Sequence, residues 1–278
     1  MTTLLQISDA HFGTEQPPVV QALLQLARDQ APDLVVMSGD ITQRARRSQF
    51  KAARAFIDQL KPAALVTIPG NHEIPLFTLA LSAFAPYPNY SRAFGKNLEP
   101  LFESANLLVI GVNTTRPYKH VDGELSPQQI ERVADRLRRA APSQLRIIVV
   151  HQPVLAIRES DADNLLDGHR QAIPAWAAAG GDIIMGGHIH LPYVRSLQTT
   201  FDALPRDIWT VQAGTSVSSR LREGITNSVN LIRCDGAQSP RQGRVERWDY
   251  IAMSSRFERH TSQELTVDGS TAACRIEI

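Results

Sequence analysis

The chain has 278 residues, which at roughly 150 residues per domain means one large domain or two small ones, with enough length to bury a core unaided. Apolar residues make up 43% of it and charged ones 21%, near the globular averages of about 45–50% and 25%, so disorder, collagen and coiled-coil rods are excluded. With 29 Lys and Arg against 28 Asp and Glu the formal charge is +1, which leaves no basic excess to hold a phosphate polymer irrespective of its sequence. Apolar runs such as 107–112 and 147–150 fall far short of the roughly 18 residues that span a bilayer, and the first residues lack the basic n-region and cleavage site of a secretory signal. Cys234 and Cys274 lie outside any C-x-x-C, which suits a reducing compartment, expected to be the cytoplasm.

In chain order, a β-branched apolar run predicts a strand over 3–8. Val20, Leu23, Leu24 and Ala27 then recur at helical spacing, so that segment buries one helical face. A strand over 34–38 is followed by a second helix carrying Phe50, Ala53, Ile57 and Leu60, and by a strand over 64–68. The stretch 75–102 holds Phe77, Phe84, Tyr87, Tyr90, Phe94 and Phe102, interrupted by Pro86 and Pro88. It reads either as a hydrophobic cluster under a loop or as a pocket wall that stacks a base or covers an acyl chain, with Tyr87 and Tyr90 as candidate contacts. After a strand over 107–112, Ser126 as N-cap, Pro127 at the first helical position and Gln129 announce a helix whose apolar face is Ile130, Val133, Ala134 and Leu137. Strands follow over 146–150 and 182–185. From about residue 207 helical periodicity disappears, and 208–212, 229–233, 245–251 and 264–267 read as antiparallel strands.

Strands alternating with helices give an α/β layer fold. The Gly, Ser, Pro and Gln-rich stretch 235–244 is the candidate boundary, dividing a domain over 1–235 from a β-strand extension over 236–278 packed on it. His120, His169 and His260 read as surface residues, and Trp176, Trp209 and Trp248 as packing.

The residues that follow the strands are unusual. They read Asp9-Ala10-His11, Gly39-Asp40, Gly70-Asn71-His72-Glu73, His151 and Gly187-His188-Ile189-His190. Ligands of an open α/β sheet bind beyond the carboxyl ends of its strands, so these stretches converge on one place, rich in imidazole and oxygen and without a thiolate. Each stretch alone reads as a turn or a hydrogen-bonded histidine; their joint occurrence at strand ends points to a metal centre. Competing motifs fail. His72-Glu73-Ile74-Pro75-Leu76 begins like H-E-x-x-H but lacks the second histidine, and neither a G-x-S-x-G elbow nor a P-loop is present. Arg44 follows Gly39-Asp40 closely and, with Arg220 and Arg222, is a candidate contact for an anionic substrate.

The order D-x-H, G-D, G-N-H-E, H, G-H-x-H resembles the signature of the calcineurin-like metallophosphoesterases, and within them most resembles the class III cyclic-nucleotide phosphodiesterases. The resemblance implies a four-layer αββα sandwich with mixed sheets, holding two divalent metal ions. It places Asp9, His11, Asp40 and His190 on one ion and Asp40, Asn71, His151 and His188 on the other, with His72 outside the metal shell as the catalytic acid. Asp40, with two oxygens, can bridge ions roughly 3.5–4 Å apart. Asp9 and His11, two residues apart on an extended segment, would project to one side. Mixed nitrogen and oxygen ligation suits Mn²⁺, Fe or Zn²⁺ better than Mg²⁺ or Ca²⁺. The implied reaction is in-line attack of a metal-bridging hydroxide on a small-molecule phosphodiester, with 3′,5′-cyclic nucleotides expected first and a homodimer allowed. A nucleotide-lipid pyrophosphate of the UDP-diacylglucosamine type, or another diesterase or nuclease substrate of the superfamily, is the alternative. A non-enzymatic scaffold of the same fold is disfavoured by the complete ligand set.

Overall fold

The computed structural model describes residues 1–75, 86–119, 121–201, 204–235 and 241–267. Phe77, Phe84, His120, Cys274 and part of the expected boundary, 236–240, lie outside the described residues.

Two six-stranded sheets lie face to face. The first runs in the order β12-β11-β10-β1-β2-β3, with β1 (Thr2–Ile7), β2 (Leu34–Ser38) and β3 (Leu65–Ile68) parallel, and β10 (Ser228–Asp235), β11 (Arg241–Ile251) and β12 (Arg256–Val267) added antiparallel. The second runs β4-β5-β6-β7-β9-β8. In it β5 (Leu107–Gly111), β6 (Leu145–Val149), β7 (Ile183–Gly186) and β9 (Trp209–Gln212) are parallel, and β4 (Leu101–Glu103) and β8 (Tyr193–Ser196) are antiparallel edges.

Leu4, Val36, Val66 and Ile68 of one sheet and Val109, Ile147, Val149 and Met185 of the other form the layer between them. Helices α1 (Pro17–Gln30) and α2 (Arg47–Leu60) cover the outer face of the first sheet, where Leu23 and Phe50 meet Ile7, Val35 and Met37. Helices α4 (Pro127–Arg138) and α5 (His169–Ala178) cover the second, with Val133, Leu137 and Trp176 on Leu108, Ile148 and Ile184. The result is the four-layer αββα sandwich. Strands buried on both faces read as unbroken apolar runs, which is why the central ones are legible in the sequence.

The start of α4 follows the expected capping box: Ser126 Oγ accepts from the Gln129 N–H at 3.1 Å and Gln129 Oε1 from the Ser126 N–H at 3.0 Å. Elsewhere the structure corrects the sequence reading. β9 belongs to the second sheet, parallel to β7 and antiparallel only to the edge β8, apart from the antiparallel strands β10, β11 and β12. The short edges β4 and β8, the helix α5 with Pro174 inside it, and α3 (Pro88–Phe94) were not anticipated. Pro88 opens α3 at its first turn, where a missing N–H is harmless. β11 and β12 are longer than their apolar cores suggest, because most of β12 is exposed and shows no apolar period. His169 is half-buried, its Nδ1 lying 2.7 Å from the Leu166 carbonyl.

The described part of the aromatic stretch belongs to the core. Tyr90 is fully buried against Phe50 and Phe94, and its hydroxyl donates to the Thr67 carbonyl at 2.9 Å. Tyr87 is 5% exposed and bonded to Thr115 and Asn113. Neither ring lines the cavity described below, so neither can stack a base there. Tyr90→Ala is expected to lower unfolding free energy by about 3–5 kcal/mol, as for other large-to-small aromatic substitutions in cores. Denaturant unfolding checks this, and a loss below about 1 kcal/mol would be incompatible with a packing role.

Candidate metal centre

The parallel order β1-β2-β3 sets the loops at Asp9, Asp40 and Asn71 side by side, and β6-β7 sets His151 beside His188 and His190. Backbone bonds knit the first two loops: the Asp9 N–H donates to the Gly39 carbonyl at 3.2 Å and the His11 N–H to the Asp40 carbonyl at 3.0 Å. On the other sheet the Gly187 N–H donates to the His151 carbonyl at 2.8 Å.

The D-x-H and H-x-H segments are not extended. Asp9, His11, Asp40, His188 and His190 have φ of 49°, 42°, 48°, 73° and 53°, a left-handed conformation that L-residues adopt at a cost. Residues so strained persist where their surroundings over-determine them, and here they turn carboxylates and imidazoles inward. Two glycines make the approach possible. A Cβ on Gly70 would lie 2.2 Å from Asp40 Oδ1, and one on Gly187 would lie 2.4 Å from Asp9 Oδ2.

Three overlapping clusters of ligand atoms result: Asp9, His11 and His190; His11, Asp40 and His72; and Asp40, His151 and His188. Asp40 divides its oxygens between two sides. Oδ1 lies 3.2 Å from His151 Nε2, and Oδ2 lies 3.9 Å from His11 Nε2 and 4.0 Å from His72 Nε2. His190 Nε2 is 3.0 Å from His11 Nε2 and 3.4 Å from Asp9 Oδ1, while Asn71 Oδ1 is 3.3 Å from His151 Nε2.

The far nitrogens of three rings rest on carbonyls: His151 Nδ1 on Ser38 at 2.9 Å, His190 Nδ1 on Arg220 at 2.7 Å and His72 Nδ1 on Gln43 at 2.6 Å. Each such bond places the proton on Nδ1 and leaves Nε2 for the centre. His188 Nδ1 is buried with no hydrogen-bond partner, the state of a nitrogen whose partner is a cation. The donor set therefore fits two cations bound through nitrogen and oxygen.

Protonation favours the same use. Burial is the main reason His11 and His188 are pushed down, to about 3 and about 4. Burial would raise Asp40, but the imidazoles of His151 and His72 hold it well below the ordinary carboxylate range. Burial would lower His151, yet the Asp40 carboxylate raises it to about 9, a proton that a cation would displace.

Glu73 is a positioning residue that the sequence reading passed over. It is fully buried and accepts from the N–H groups of Gly70, Ile41 and Thr42 at 2.8, 3.2 and 2.8 Å and from the Thr42 hydroxyl at 2.9 Å, tying the Asp40 loop to the Asn71 loop. Burial, with Asp40 nearby, raises its pKa to about 7. The available clue was an acid three residues after the cap of a short helical turn, reaching back to the cap N–H.

A cavity of about 470 Å³ opens over the cluster. Arg220 lines it, with Nη1 3.1 Å from Gln43 Oε1 and 3.2 Å from His72 Nε2. Arg222 lines it too, donating to the Ile189 carbonyl at 3.0 Å and paired with Asp161 at 2.9 Å. Arg44, in contrast, is exposed and lines no part of it; its N–H is spent on Gln49 Oε1 at 2.9 Å.

The model of the calcineurin-like phosphoesterases matches residues 2–192. The chain belongs to that family. A Synechococcus sp. protein named as a probable cyclic nucleotide phosphodiesterase is 23% identical over 222 residues, covering 73% of this chain and 79% of its own. A Rhodococcus erythropolis protein of the same name is 24% identical over 179 residues, and the match spans 55% of it. Among solved structures, a dimetal phosphatase from Danio rerio superposes with a TM-score of 0.64 at 14% identity, covering 96% of this chain and 99% of its own. A purple acid phosphatase from yellow lupin superposes with a TM-score of 0.69 at 14% identity, covering 96% of this chain and 54% of its own. This phosphoesterase is thus a hydrolase with candidate ligand groups for a metal centre.

Asp40→Ala should bring metal content toward zero by elemental analysis, since two cations would lose the carboxylate facing both; two retained ions would refute the shared role. Glu73→Gln should weaken metal binding by roughly 10–100-fold, as outer-shell substitutions do, in a competition titration against a fluorescent chelator.

Proposed function

We propose that this chain hydrolyses phosphodiester bonds at a pair of divalent cations, with small 3′,5′-cyclic nucleotides as its first substrates. The observation that carries the dinuclear reading is Asp40, whose two oxygens face two separate groups of ligands. Asp9, His11, Asp40 and His190 would hold one cation, and Asp40, Asn71, His151 and His188 the other. Manganese, iron and zinc suit this mixed set. When bound, such cations supply a nucleophilic water at neutral pH and neutralise charge on the phosphoryl oxygens. The naming of the Synechococcus relative supports the cyclic-nucleotide reading, and a cavity of about 470 Å³ is in the range of small-molecule sites.

The chain's own groups have distinct tasks. Arg220 sets a permanent positive charge at the mouth of the centre, within reach of a phosphate oxygen. His72 is oriented by its Nδ1–H to the Gln43 carbonyl, so Nε2 is the nitrogen turned to the pocket. As an acid it would protonate the leaving oxygen from Nε2, with its ring held by Nδ1–H on the Gln43 carbonyl. Among the described residues no helix is long and apolar enough to cross a membrane.

A panel of cyclic nucleotides, linear diesters and monoesters, assayed with metal content measured on the same sample, tests the reading; preference for monoesters would overturn it. His72→Ala should retain its metals yet lose about 10²–10⁴ in rate. The loss should shrink for p-nitrophenyl esters, whose leaving group needs little protonation, and an equal loss on both substrates would rule out the acid role.

A further inference from the structure

Part of the cavity wall has no task in the chemistry just described. It is formed by the short 3₁₀ helix Glu159–Asn164, which brings Asp161 and Asn164 to the cavity, together with Arg222. Asp161 is 4% exposed; its Oδ1 is held by Arg222 Nη1 at 2.9 Å, and its Oδ2 has no hydrogen-bond partner. A buried carboxylate oxygen without a donor is rare in folded proteins. Asn164 is half-buried, and its carboxamide makes no hydrogen bond among the described residues. Arg222, bonded also to the Ile189 carbonyl at 3.0 Å, keeps the carboxylate in place. The wall therefore offers an amide that both donates and accepts, beside a charged pair held in place. Such groups read the edge of a base or the hydroxyls of a sugar, and gain nothing from a hydrocarbon chain.

We propose that Asn164 and the Asp161–Arg222 pair form a specificity wall, selecting phosphoesters whose organic arm carries hydrogen-bonding groups, as a nucleoside does, over arms of hydrocarbon alone. This rests on the phosphodiesterase reading for the placement of the phosphate over the metal ligands.

Calorimetric titration of the manganese-loaded protein with adenosine 5′-monophosphate and with phenyl phosphate tests it, because the two ligands share a phosphate and differ in the organic arm. The nucleotide should bind at least about tenfold more tightly to the wild type, and Asn164→Ala and Asp161→Asn should each bring the ratio within about threefold. Arg44→Ala, outside the cavity, should keep the wild-type ratio. Equal wild-type affinities, or a preference that survives both substitutions, would overturn the wall. Turnover is a separate readout: a protein that hydrolyses no diester refutes the phosphodiesterase reading, while the affinity ratio still judges the wall.

Discussion

One buried carboxylate organises the molecule. Asp40 is 2% exposed, and a charge so far from water is tolerable only when other groups compensate it. His151 lies against one of its oxygens and His11 and His72 face the other, while the His72 N–H donates to Oδ1 at 3.0 Å. The glycine at position 70, the left-handed turn at Asp40 itself and the Glu73 bridge all follow from the need to bring these partners close without displacing the sheet above.

A second carboxylate shows the same logic from the other side. Asp9 accepts from the His188 N–H on both oxygens at 3.0 Å, so a residue of the first sheet fixes the backbone of the loop that carries the H-x-H pair. Below it the Thr215 hydroxyl donates to the Asp9 carbonyl at 2.6 Å, and Gln6 donates to Ser38 Oγ and to the Gly186 carbonyl at 3.2 and 3.0 Å. A polar floor thus underlies the ligands where the apolar layer between the sheets ends.

How much of this can be read from sequence depends on how local its cause is. Continuous apolar strands and a capped helix are determined by neighbouring residues, and β1, β2, β5, β6 and α4 are legible. The ligand stretches are legible as chemistry because they fall at strand ends. Their conformations are not, since nothing local distinguishes an extended Asp9-Ala10-His11 from the left-handed one that long-range bonds impose. Tyr87 and Tyr90 look the same in sequence whether they face a ligand or a core, and only the third dimension sends their hydroxyls to Thr115 and Thr67. Asp161, paired with Arg222 across the fold, has no signature in its own neighbourhood, and the local cap bond of Glu73 to Gly70 gives no sign of those it accepts from backbone 31 and 32 residues away.

The division of the candidate ligands between the sheets bears on assembly. Asp9, His11, Asp40 and Asn71 come from loops of the first sheet, and His151, His188 and His190 from loops of the second, so that His11 and His190 meet across 179 residues of chain. Neither sheet alone owns a complete half of the centre. Cations held there would act as a clasp across the seam between two separately covered layers, closing only after the layers have docked. Tight binding of cations there would then require both layers in place, because His11 and His190 come together only when the two sheets are docked.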